Sequence, residues 1–159
     1  MTAWLDDEEM QAWRGLVEVF SDVRASLETE LTEQFDLTEG DYGVLVVLSE
    51  SPDQGLRMCD VARRLHLTPG GLTRRLDGLV DRGFVAREPS TEDRRVVLAV
   101  LTPEGMAMLE KAAPVHVDGV RRHLIDHLSR EQLHELSAAF DAVRTGRATP
   151  ARDPERSSP

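Results

Sequence analysis

TPGGLTRRLDGLVDRGFVAREPSTEDRRVVLAVL, residues 68–101, holds the signals of a capped helix followed by a tight hairpin. Thr68 is a natural N-cap, and Pro69 occupies the first helical position, where a missing N–H has no intrahelical partner to lose. Leu72, Leu76, Leu79 and Val80 recur at i, i+4, i+7 and i+8, which gives one apolar stripe. Gly70, Gly71, Thr73, Arg74 and Arg75 fall on or near the other face. Each glycine weakens a helix by roughly 1 kcal/mol relative to alanine, so a bare, polar, basic first turn suits close approach to a polyanion. Gly83 closes the helix. Phe84–Arg87 and Val96–Leu101 are β-prone runs, and Pro89 to Asp93 supply turn chemistry between them.

Working outward, Met58, Val61, Ala62 and Leu65 form a short helix that ends in a turn at His66-Leu67. A helix-turn-helix followed by a hairpin tipped by Arg94 and Arg95 is the layout of a winged-helix DNA reader. Upstream, Thr38 with Asp41 starts a helix carried by Tyr42, Leu45, Val46 and Leu48 to about Glu50, and Ser51–Gly55 reads as a loop. Acids at positions 6–9 open a first helix whose stripe, Met10 through Leu31, runs to about residue 33. Downstream, Thr102-Pro103 repeats the cap-and-proline signal. A long helix follows from Met106 to Leu128, with a kink expected at Pro114. Ser129 and Gln132 make a capping box for a last helix bearing Leu133, Leu136, Phe140 and Val143.

The net charge of −10 conflicts at first sight with a nucleic-acid partner. Its distribution removes much of that conflict. Residues 1–56 carry two arginines and fourteen acids, residues 57–95 nine arginines and six acids, and residues 96–159 eight basic side chains and nine acids. Positive charge is therefore concentrated in the helix and hairpin. The acidic flanks imply modest affinity that falls rapidly as salt rises.

The chain of 159 residues is long enough for one domain with a proper core. No apolar run approaches the length of about 18 residues that spans a membrane, and MTAWLDDEEM lacks the basic and apolar regions of a secretory signal. A single cysteine, Cys59, excludes an internal disulfide and fits the cytoplasm. No phosphate loop, nucleophile elbow or carboxylate pair supports an enzyme or a cofactor.

The first and last helices have apolar stripes that a compact reader does not cover. A twofold homodimer covers more of them, and it places two recognition helices about one DNA turn apart to match a palindromic operator. The fold expected is mainly α with a small β-hairpin wing: a winged helix-turn-helix whose N- and C-terminal helices form a dimerisation region. Its parts are residues 1–36 and 102–146 for dimerisation, 37–101 for the reader, and 147–159 as a disordered tail.

The segments LTRRLDGLVDRGFV and REPSTEDRRVVLAVLTPEG, with Asp-Arg-Arg in the wing and Thr-Pro-Glu-Gly opening the next helix, resemble the MarR family of bacterial transcription regulators. WLDDEEMQAWRGLV and APVHVDGVRRHLIDHLSREQLHEL resemble a branch common in actinobacteria, and the likeness covers about residues 4–146. The resemblance implies a triangular dimer that binds double-stranded DNA, usually as a repressor, released by a small, often phenolic, effector or by an oxidant. It implies that Thr68, Gly70, Gly71, Thr73, Arg74 and Arg75 enter the major groove. In the wing the family's Asp-x-Arg matches Asp93 and Arg95, with Asp93 bracing Arg95 in the minor groove and Arg94 meeting a phosphate. Effectors in such proteins lie between dimerisation helices and reader, where Trp13 and Arg14 would offer a flat apolar face and a cation.

Other constellations read more plainly. Cys59 is expected to be a small buried hydrophobe. His123 and His127 have a zinc-compatible spacing and His116 lies further back, but Arg121 and Arg122 stand beside them, so structural or interfacial histidines and no metal are expected. The competing function is a winged-helix module for dimerisation or protein contact without DNA binding. Arg74, Arg75, Arg94 and Arg95 argue against it.

Overall fold

A computed structural model describes residues 4–52, 55–90, 93 and 95–148. These fall into two compact units divided after Val120.

In the first unit, α1 spans Asp7–Phe35 and α2 spans Glu39–Ser49. Both begin with reciprocal capping boxes, Asp6 with Glu9 and Thr38 with Asp41, in which side chain and backbone N–H satisfy each other. A short strand β1, Gly55–Arg57, leads into α3, Met58–Arg64. His66 takes a left-handed conformation with φ 53°, so the chain turns sharply into α4, Pro69–Asp81. The Thr68 hydroxyl accepts the Gly71 N–H at 3.1 Å, as the cap reading expects. Gly83, at φ 75°, turns the chain into β2, Val85–Pro89, which pairs antiparallel with β3, Val97–Leu101.

The sheet has the order β1-β3-β2. Gly55, expected in a loop, instead opens a third strand where the sequence predicts two. β1 is three residues long and exists by pairing with β3, Leu56 opposite Ala99, so no local alternation announces it. The core gathers Leu31, Leu37, Leu45, Leu48, Val61, Leu72, Leu76, Leu79 and Leu101 around the reader. Of the long α1 stripe only Leu27 and Leu31 are buried. The rest of that stripe is exposed or half-buried in the single chain.

α5 spans Pro103–His123 and passes through Pro114 without ending. Its first turn lies so close to β2 that a Cβ at Gly105 would collide with the Phe84 carbonyl, which explains the glycine after Thr-Pro-Glu. The helix stops at His123 rather than running to Leu128. Leu124 leaves helical geometry, and a 3-10 turn, Ile125–His127, intervenes. In this second unit Arg121 pairs with Asp126 at 2.8 Å, and the His127 Nε2–H donates to the Arg122 carbonyl at 2.8 Å, so side chains hold the corner. The Ser129–Gln132 box then starts α6, Arg130–Ala148. The expected tail boundary at 147 therefore falls inside a helix, and residues 149–159 lie outside those described.

Candidate nucleic-acid interface

The apolar stripe of α4 turns Leu72, Leu76 and Leu79 inward and leaves Thr68, Gly70, Gly71, Thr73 and Arg74 exposed together over its first turns. A Cβ at Gly70 would meet none of the described residues within 4 Å. Packing therefore does not require glycine there, although glycine costs helix stability. A bare backbone at a helix N-terminus is the arrangement that lets a phosphate or base edge approach the amides.

The wing places Arg95 at an exposed hairpin tip. The Asp93 carboxylate accepts the Arg95 backbone N–H at 3.0 Å, and the Val96 N–H donates to the Asp93 carbonyl at 2.9 Å. Asp93 thus shapes the turn that presents Arg95 by bonding its backbone, a side-chain-closed turn of the kind aspartate favours. Arg94 lies outside the described residues. Midway along the hairpin, Arg87 of β2 pairs with Asp77 of α4 at 2.6 Å, which ties wing to recognition helix. Arg63 and Arg64, at the end of α3, are also exposed beside the turn. Their signal in the sequence is a pair of adjacent arginines just before a helix-turn-helix turn.

Arg75 differs from its neighbour Arg74. Its side chain is 28% exposed and its Nη1 donates to Thr38 Oγ1 at 2.7 Å and to Asp41 Oδ1 at 3.0 Å. It also walls a groove of about 460 Å³ between α1 and α2, lined by Phe20, Arg24, Glu28 and Glu39 among others. In that groove Arg24 Nε bonds Glu39 at 2.6 Å, and the Glu39 N–H donates to Glu28 at 2.6 Å. Trp13 and Arg14 are not part of it. Trp13 is 57% exposed on α1, and Arg14 borders a separate hollow with Met10 and Glu18.

Cys59 requires a correction: it is exposed, not buried. The buried face of α3 is set by Val61 and Ala62, and one residue after Met58 the helix has turned outward. His116 lies on Tyr42 in the first unit, whereas His123 and His127 belong to the second.

Comparison with known proteins agrees with this architecture. A MarR family model matches residues 35–96. AbsC, a MarR family transcriptional regulator from Streptomyces coelicolor, is 39% identical, with a TM-score of 0.85 over 93% of this chain and 100% of that one. Sco3205, a MarR family regulator of the same organism solved in complex with DNA, is 33% identical with a TM-score of 0.87 over 96% of each chain. The transcriptional repressor YetL of Bacillus subtilis is 34% identical over 60% of this chain, a stretch that spans 58% of YetL. The chain belongs to the MarR family. It is a winged helix-turn-helix regulator of transcription that binds DNA.

Proposed function

We propose that this chain is a cytoplasmic, homodimeric repressor, not an enzyme, that reads a palindromic operator and leaves it when a small aromatic or phenolic effector binds. The observation that carries the reading is the exposed first-turn face of α4, bare at Gly70 and basic at Arg74, with exposed Arg95 on the wing. Thr68, Gly70, Gly71, Thr73 and Arg74 meet base edges and phosphates in the major groove, and Asp93, Arg94 and Arg95 form the wing contact. Arg63 and Arg64 add phosphate contacts from α3. Residues 37–101 act as reader, and the helices of 1–36 and 102–146 join two copies. Repression is the role that the name of one relative, YetL, carries.

An effector acts only by binding the DNA-incompetent arrangement more tightly. Trp13 with Arg14 is one place for it, and the Arg24–Glu39 groove between α1 and α2 is another. The deciding experiment is fluorescence anisotropy on the DNA upstream of the protein's own gene, at low and moderate salt, with and without salicylate-like compounds. Tight, salt-sensitive binding relieved by a compound supports the reading. Absence of binding at low salt refutes it in favour of a protein-contact module.

A further inference from the structure

We infer that Arg75 is a positioning residue that sets the pose of the recognition helix, with Gly40 as its seat. The inference rests on the DNA-reading role of α4 and concerns what holds α4 in place.

Thr38 and Asp41 form the capping box of α2, in which Asp41 Oδ2 accepts the Thr38 N–H at 3.1 Å and Thr38 Oγ1 accepts the Asp41 N–H at 3.1 Å. Arg75 Nη1 enters this box from α4, donating to the hydroxyl of Thr38 and to the second carboxylate oxygen of Asp41. Gly40 lies directly beneath. A Cβ there would overlap the guanidinium carbon and Nη1 of Arg75 and stand 2.6 Å from Nη2. Only glycine leaves room for the guanidinium at this point.

Successive residues in a helix point about 100° apart, so an inward Arg75 fixes the direction in which Arg74 leaves the helix. The far end of α4 is held in a matching way. Arg82 Nη1 donates to the Asp36 carbonyl at 2.5 Å and Nη2 to the Phe35 carbonyl at 3.0 Å, where α1 ends. Two anchors about 10 Å apart along the axis define both the tilt and the rotation of a helix. Of the two, Arg75 is the one beside the reading face and in the wall of the α1–α2 groove. Whatever enters that groove meets the group that aims Arg74.

The test compares wild type, Arg75→Met, Gly40→Ala and the double variant as full-length proteins, on specific and random DNA across a salt series. Gly40→Ala alters neither the arginine nor the exposed face. The clash it introduces is with the movable end of a side chain, so the fold is expected to survive. Both single variants should lose about 5- to 30-fold in operator affinity. The salt slope and random-DNA affinity should stay as in wild type, and the double variant should be no worse than either single. A phosphate contact gives the opposite pattern and overturns the inference: Arg75→Met lowers the salt slope by about one and weakens all DNA alike, while Gly40→Ala binds normally. Hydrogen exchange on the DNA-free proteins separates this failure from failure of DNA binding as such. Faster exchange across the first turns of α4 in Gly40→Ala supports the brace, and unchanged protection overturns it whatever the DNA does.

Discussion

The ring of His116 on α5 lies against the ring of Tyr42 on α2, with centroids 4.4 Å apart and planes inclined at 30°. The His116 Nδ1 is buried and has no hydrogen-bond partner among the described residues. Burial pulls the imidazole below the ordinary histidine value of 6.5, and Glu39 and Glu30 oppose it more weakly. Burial likewise pushes the Tyr42 phenol up, so both rings prefer their neutral forms.

A pH dependence of stability follows from this pair. The unfolded chain takes up a proton on His116 at the ordinary value, whereas the folded chain resists it. Stability supplied by the neutral ring is therefore present above about pH 6.5 and is lost as the pH falls below it. His116→Phe keeps the stack and removes the titration. Thermal unfolding from about pH 7.5 to about pH 5 should show a smaller decline for His116→Phe than for wild type. Parallel declines would assign the acid sensitivity to other groups.

Gly70→Ala should separate folding from reading. Alanine at an open helical position gains about 0.5–1 kcal/mol of helix stability, and no described residue lies within 4 Å of the added Cβ. The same methyl stands on the surface proposed to meet DNA. The expected result is a higher unfolding temperature together with weaker operator binding. A variant that is more stable and binds equally well would mean that DNA does not approach this turn.

The parts of this fold that were legible in the sequence are those whose cause is local. Thr68-Pro69, Thr38 with Asp41, and Ser129 with Gln132 each carry their partner within three residues, and each forms the cap its spacing predicts. β1 was not legible because its hydrogen-bonding partner, β3, is distant in the chain. The end of α5 was hidden because apolar spacing continues to Leu128 while the backbone departs at Leu124. At the interface, Arg74 and Arg75 are indistinguishable as letters, yet one residue of helical rotation separates an exposed cation from a half-buried one. What draws Arg75 inward is a glycine and a capping box on another helix, a tertiary arrangement that no window around Arg75 contains.

Arg95→Ala tests the wing. With Asp93 bonding the backbone of residue 95, the turn persists when the side chain is removed. Operator affinity should fall by about 1–3 kcal/mol with the unfolding temperature unchanged. Unchanged affinity at moderate salt would remove the minor-groove role from Arg95.

The exposed stripe on α1 bears on assembly. Trp13, Leu16, Val17 and Phe20 follow at i, i+3, i+4 and i+7, and all are at least 43% exposed. An ordered apolar row of this kind on one helix face is unfavourable in water unless something covers it, and a second copy offers the same row in return. Sedimentation at micromolar concentration should give a mass near twice 17.7 kDa. Val17→Glu places a charge in the middle of the row at little cost to a single chain, since Val17 contributes nothing to the buried core. The variant should sediment as a monomer with its helical content intact, and it should lose most operator affinity, because two linked half-sites bind far more tightly than one. A wild-type chain that sediments at 17.7 kDa, or a Val17→Glu variant that stays dimeric and binds the operator normally, would show that this face does not join the two copies.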